Sequence, residues 1–138
     1  MINLQKGQKI LLPSNLTSDG FNIGFYWDCL HSQPTQIEFF AALLSGEKVK
    51  SNDDFIYLDN MASSCNSVTE RVSYDPYKKM FAINVKKIRP EIDKIIFVAS
   101  ISDSLAVGRG SCTNITTDII YKKEIVFQSK MEPEKNQS

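Results

Sequence analysis

The feature that most constrains this chain is a two-residue alternation of apolar and polar side chains. In residues 21–28, Phe21, Ile23, Phe25 and Trp27 alternate with neighbours that are smaller or more polar. A period of two residues is the repeat of a β-strand with one buried face. The pattern therefore predicts a strand here.

The alternation recurs along the chain. "QIEFFAALL" predicts a strand that ends in a turn at "SGE", and the other predicted strands are "DFIYLDN", "VTERVSY", "MFAINV", "IIFVASIS", "NITTDIIY" and "KEIVFQS". The segments "DFIYLDN" and "VTERVSY" are typical of sheet edges, because they are short and of mixed polarity. The apolar density of residues 95–101 predicts a central strand that is buried on both faces. Pro90, in "KKIRPEIDK", is placed to open one helical turn.

Short strands and turns at a spacing of about 8 to 12 residues, without a sustained helical period, favour an all-β fold. We predict a β-sandwich of antiparallel strands with one short helical turn. The chain has 138 residues, 42% of them hydrophobic, which is enough for one core. We assign residues 1–128 to one domain and residues 129–138 to a polar, disordered tail.

Charge and hydropathy argue against some partners. The 16 basic residues balance the 16 acidic ones, so no one-signed field favours nucleic acid or an anionic membrane. Apolar runs such as "IIFVA" are too short to span a bilayer, and the N-terminus lacks the pattern of a signal peptide. We expect a cytoplasmic protein without a membrane span.

Two sequence features suggest chemistry. "KSNDDFIYLDN", residues 50–60, holds three aspartates and two asparagines, which either bind a cation or form turns. Cys29 and His31 lie two residues apart and share a face if the segment is extended, which leaves a small Cys-His hydrolase as a hypothesis. However, His31 is the only histidine, and no orienting motif accompanies it. The basic groups at 78–79, 86–89 and 122–123 are interpreted as solvated strand edges.

Four segments resemble a known family. "INLQKGQKI", "IGFYWD", "DDFIYLDN" and "DKIIFVASISD" occur in the order of the motifs of the TerD family of bacterial tellurite-resistance and general stress proteins. The resemblance covers about the first hundred residues. It implies a β-sandwich that acts without catalysis and that binds calcium through acidic loops at one end.

The resemblance also implies positions for the ligands. Carried over residue by residue, the family's calcium site falls on Asp28, Glu38, Asp59, Asn60 and Asp103. One family aspartate is replaced by Gln36 and another by the longer Glu38. The glycine-rich acidic loop of the family is replaced by a shorter segment that contains Lys78 and Lys79. Calcium needs six to eight oxygens, so we expect weak calcium binding or none.

The chain also ends before the closing segment of the family pattern, and we expect an exposed sheet edge there. A protein partner or a second copy of the chain would cover such an edge. The resulting prediction is a non-enzymatic binding or assembly module of a stress response with a degraded calcium site. A functional calcium-binding TerD-like protein is the first alternative, and the Cys-His hydrolase is the second.

Overall fold

The computed structural model describes residues 1–29, 36–57, 60–63, 65–102 and 112–131, and these form two packed β-sheets. The six-stranded sheet has the order β1-β9-β8-β2-β6-β5, and the three-stranded sheet has the order β4-β3-β7. The strands are β1 (Ile2–Leu4), β2 (Phe21–Cys29), β3 (Gln36–Leu44), β4 (Phe55–Ile56), β5 (Val68–Arg71), β6 (Lys79–Ile83), β7 (Lys94–Ser102), β8 (Cys112–Tyr121) and β9 (Glu124–Met131). The all-β fold is therefore confirmed.

The core lies between the inner faces of the two sheets. The ring of Phe25 on β2 stacks on that of Phe39 on β3, with 4.5 Å between the ring centroids. Phe81 on β6 packs against Phe97 on β7 at 5.2 Å. These contacts join the sheets through the residues whose alternation is visible in the sequence, so the period-two pattern reports the buried face correctly.

The predicted edge strands are confirmed, but the predicted central strand is wrong. β4 and β5 each lie at the edge of a sheet. β7 also lies at an edge, since it pairs only with β3 among the described strands. Its outward residue Ile96 is 39% exposed. Residues 95–101 look doubly buried in the sequence because β7 carries apolar side chains on its outer face as well.

The two ends of the chain differ from the sequence-based picture. β1 pairs with β9 in parallel, with Leu4 opposite Ser129, whereas the other ladders are antiparallel. β9 continues to Met131, so the predicted start of a tail at residue 129 falls inside a strand and is wrong for residues 129–131. Residues 132–138 lie outside the described residues.

The short helix lies elsewhere than at Pro90. The helix α1 (Ser14–Asp19) buries Leu16, and 3-10 turns occupy Asn52–Asp54 and Val85–Lys87. Around Pro90 the chain instead makes a β-turn, in which the amide of Ile92 donates to the carbonyl of Arg89 at 3.0 Å. Proline is well suited to the second position of such a turn.

The sandwich has two ends, which differ in the strand termini that meet there. At the Asp28 end, β2 finishes at Cys29 and β3 begins at Gln36. At the Lys122 end, β2 begins at Phe21, and β8 and β9 are joined by a turn at Lys122 and Lys123.

Candidate functional site

Asp28 and Glu38, two of the predicted calcium ligands, belong to different sheets. Asp28 is exposed near the end of β2, next to Trp27, whose ring stacks on the core residue Phe39. Glu38 is exposed on β3, where Ile37 and Phe39 face the core. Because side chains alternate along a strand, Glu38 and Asp28 are directed away from the core on opposite sides of the sandwich. The fold does not bring these two carboxylates together.

Asn60, a third predicted ligand, is engaged by the 3-10 turn that precedes β4. Its side-chain nitrogen donates to the carbonyl oxygen of Phe55 at 2.8 Å and to that of Asp53 at 3.3 Å. Its backbone also forms a bridge with Tyr57. These contacts match the alternative interpretation of residues 50–60, in which the asparagine closes a turn.

A lysine lies beside Asp28. The Lys78 ammonium donates to the carbonyl oxygen of Trp27 at 2.9 Å and lies 5.0 Å from the centroid of the Trp27 ring. The amide of Lys78 also donates to the carbonyl of Phe25, which fixes the segment against β2. A positive charge at this position opposes the binding of a cation at the Asp28 end.

The aspartates at 53–54 both lie in the 3-10 turn, but they differ in burial. Asp53 is exposed, and its backbone amide donates a hydrogen bond to the Ser51 hydroxyl, as expected for a solvated turn. Asp54 is fully buried, at 0% exposure, and both of its carboxylate oxygens accept hydrogen bonds from the Arg89 guanidinium. Asp54 does lie in the turn, but the expectation that it is solvated is wrong, because it forms a buried ion pair with a residue 35 positions away.

A second buried carboxylate, Asp118, was not predicted from the sequence. Asp118 is 1% exposed on β8 and accepts from the Tyr77 hydroxyl at 2.6 Å and from the Gln128 amide at 2.8 Å. Burial, and then the bond to the carboxylate, raise the pKa of Tyr77. Gly24 makes room for this arrangement, since a Cβ there would lie 2.5 Å from the Tyr77 ring. The sequence signal that could have indicated an aromatic side chain over this face of the sheet is the segment "YDPY", residues 74–77.

Comparison with known proteins agrees with these motifs and this fold. The family model for the TerD domain matches residues 1–121. The chain belongs to the TerD domain family. It is 30% identical over 114 residues to the tellurium resistance protein TerD of Serratia marcescens, and 27% identical over 114 residues to the protein of that name from an Alcaligenes species. Each alignment covers 76% of this chain and 59% of the relative, so the chain spans about three fifths of these relatives.

The calcium site implied by the TerD resemblance is only partly described. Asp59 and Asp103 lie outside the described residues, and their role stays a prediction. Within the described ranges, no three histidine, cysteine, aspartate or glutamate side chains are grouped so that they could hold a metal ion. Since Asp28 and Glu38 diverge and Asn60 is held by a turn, the described ligands do not fit a calcium ion.

The cysteines of this TerD domain are also only partly described. The register of β2 and β8 places the Cα of Cys29 opposite that of Cys112. His31 lies outside the described residues, so the Cys-His hydrolase stays a hypothesis. Cys65 is free and half-buried. Burial raises the pKa of its thiol, but hydrogen bonds with Ser67 and Ser63 outweigh that effect and leave the pKa below its usual value.

None of the helices within the described ranges has the length and hydropathy needed to cross a bilayer.

Proposed function

We propose that this TerD-family chain is a non-catalytic assembly module of a tellurite-resistance-type stress response in the cytoplasm. In this proposal two copies join through β7, and calcium contributes little. The observation that carries the proposal is the open edge of β7.

Among the described residues, the edge of β7 carries a charge only at its first residue, Lys94, and no strand other than β3 pairs with it. The strand is nine residues long. Residues 95–102, "IIFVASIS", contain no charge, proline or glycine. Natural edge strands are usually short, charged, bulged or interrupted by proline, because free backbone groups pair readily with another strand. A long, uncharged edge therefore favours strand addition.

The outer face beside this edge is apolar as well. Ile96 and Val98 on β7 neighbour Phe40 on β3. The ring of Phe40 lies 5.1 Å from that of Phe55, which in turn lies 5.3 Å from that of Tyr57. Added strands would extend this apolar surface and would shield Ile96, which is 39% exposed.

A second copy of the chain suits the edge. If two β7 strands pair antiparallel about a two-fold axis at Val98, Lys94 lies opposite Ser102 of the second copy. In this register no like charges lie directly opposite each other, an arrangement that would destabilise the pair. The self-complementary pair joins two three-stranded sheets into one six-stranded sheet.

Sedimentation velocity over a concentration series tests the assembly. The wild-type chain should associate reversibly into a dimer, and the variant I96K/V98K should stay monomeric with an unchanged circular dichroism spectrum. The matched control L11K/V72K adds the same charge at two side chains that are almost fully exposed, and it should dimerise like the wild type. A monomeric wild type, or a dimer that survives I96K/V98K, contradicts the proposal.

Growth on potassium tellurite tests the stress role. Expression of the wild type in a tellurite-sensitive bacterial host should raise the tolerated concentration, and I96K/V98K should lose that effect while L11K/V72K keeps it. Equal protection by all three proteins would show that tellurite tolerance does not depend on the β7 edge. No protection by a well-expressed wild type would remove tellurite as the stress.

A further inference from the structure

A hollow lies on the outer face of the six-stranded sheet at the Lys122 end. Its volume is about 700 Å³, and it is open to solvent. The floor is one row of cross-strand neighbours from four adjacent strands: Thr69 on β5, Ala82 on β6, Asn22 on β2 and Ile120 on β8. The floor of the hollow is therefore formed by four adjacent, hydrogen-bonded strands.

Small side chains beside a bulky cover create the hollow. In the next row of the sheet, the Tyr77 ring lies over Gly24 and is held there by its bond to Asp118. The floor row carries the short side chains of Thr69, Ala82 and Asn22. At the other side, Gly20 approaches so closely that a Cβ would lie 2.9 Å from the carbonyl oxygen of Ile83.

The lining is cationic. Arg71, Lys87 and Lys122 lie around the hollow and are exposed, whereas Asp19 is the one acid among the described lining residues. The Asp19 carboxylate accepts a hydrogen bond from the Tyr121 hydroxyl. Within the described ranges, neither Arg71 nor Lys87 forms an ion pair. The described lining thus carries three positive charges against one negative charge, in a chain whose net charge is zero.

The turn that supplies Lys122 is strained. Lys122 and Lys123 have φ angles of 49° and 67°, in the left-handed region that favours glycine and asparagine. A two-residue hairpin turn with two positive φ angles normally contains Asn-Gly. Strained backbone of this kind clusters at binding sites, where the position of a side chain matters more than local stability.

We propose that this hollow binds a small molecule that carries two or more phosphoryl charges. The guanidinium fork of Arg71 matches phosphate oxygens, and Lys87 and Lys122 add two further charges. Three cations around a space much larger than one phosphate group suit a diphosphate better than a monophosphate. Side-chain amides and a hydroxyl from Asn22, Asn66, Asn84 and Thr69 offer hydrogen bonds to a polar body.

A small molecule fits better than a nucleic acid. The chain has no net positive charge, and three basic residues elsewhere are engaged: Lys79 pairs with Glu70, Arg89 with Asp54, and Lys78 with the carbonyl of Trp27. The site is independent of β7, so it stands whether or not two copies pair.

Isothermal titration of the full chain with inorganic phosphate, pyrophosphate, AMP and ADP tests the proposal. We expect saturable binding of pyrophosphate and ADP, with phosphate and AMP weaker. R71Q/K87Q should weaken binding at least about tenfold, because two charge-assisted contacts are lost. A82L should also weaken it by filling the floor without changing a charge. Tighter binding of ADP than of pyrophosphate would identify a nucleotide, and equal binding would identify free diphosphate.

The matched control is K9Q/K50Q, which removes two cations from exposed positions outside the lining. It should bind like the wild type. The proposal is overturned if no probe binds saturably, if K9Q/K50Q weakens binding as much as R71Q/K87Q does, or if only a single-stranded oligonucleotide binds. Thermal melts of every variant separate loss of binding from loss of fold, and R71Q/K87Q tests the charges even if A82L fails to fold.

Discussion

The two ends of the sandwich differ in the charged side chains that the fold brings together. At the Asp28 end, where the TerD resemblance places a degraded calcium site, Asp28 and Glu38 lie on different sheets, and the Lys78 ammonium bonds to the Trp27 carbonyl. At the Lys122 end, three cations surround a hollow that contains one acid among its described lining residues. Acid count along the sequence is therefore a poor guide to charge in space, because sheet pairing decides which residues meet.

The two ends also differ in how their acids are used. Asp54 and Asp19, towards the Lys122 end, are each bound by a side chain from another part of the chain. An acid that is already bonded to arginine or tyrosine holds the protein together and is not available to a metal ion. Asp54 is fully buried in its contact, whereas Asp19 and Asp28 are exposed.

The largest effect should come from breaking the buried ion pair. Arg89→Ala leaves the Asp54 carboxylate buried without its partner and should lower the free energy of unfolding by about 3 kcal/mol. Arg89→Lys keeps the charge but loses the two-pronged contact, so its loss should be smaller. Urea denaturation measures both. A loss below about 1 kcal/mol for Arg89→Ala would show that this pair does not anchor the Lys122 end.

The next largest effect should come from the cover beside the hollow. Gly24→Ala places a methyl group against the Tyr77 ring and should cost about 1 to 3 kcal/mol. Tyr77→Phe removes one hydrogen bond to Asp118 and should cost about 1 kcal/mol. In a Tyr77→Ala background, the added methyl should cost much less. An undiminished cost in that double variant would mean that the ring is not what excludes a side chain at position 24.

The sequence predicts interactions between residues that are close in the chain, but not those between distant residues. The alternation around Phe25 and Phe39 predicts strands and their buried faces, since period and burial are coupled within one strand. The edge position of β7 was missed because Ile96 and Val98 make the strand look buried twice. The Asp54 and Asp118 contacts join residues 35 and 41 positions apart, and no local pattern encodes them.

A smaller effect, of opposite sign, should come from the strained turn. Lys123→Gly relieves a positive φ angle and should raise the free energy of unfolding by about 1 kcal/mol. Because Lys123 does not line the hollow, pyrophosphate binding should be unchanged. Lys122→Asn should also stabilise the turn but should weaken binding. If both variants bind pyrophosphate like the wild type, Lys122 contributes nothing to the site, and the strain has another cause.

The smallest effect should come from calcium. With a dissociation constant of about 1 mM or weaker, 1 mM calcium should raise the melting temperature by no more than about 2 °C. The variant D28N/E38Q should respond like the wild type, because these carboxylates lie on different sheets and Lys78 lies beside Asp28. A rise above about 5 °C that D28N/E38Q abolishes would mean that both side chains do reach one ion. The Asp28 end would then be the functional end for cations, and the contrast between the two ends would reflect two ligands of opposite charge.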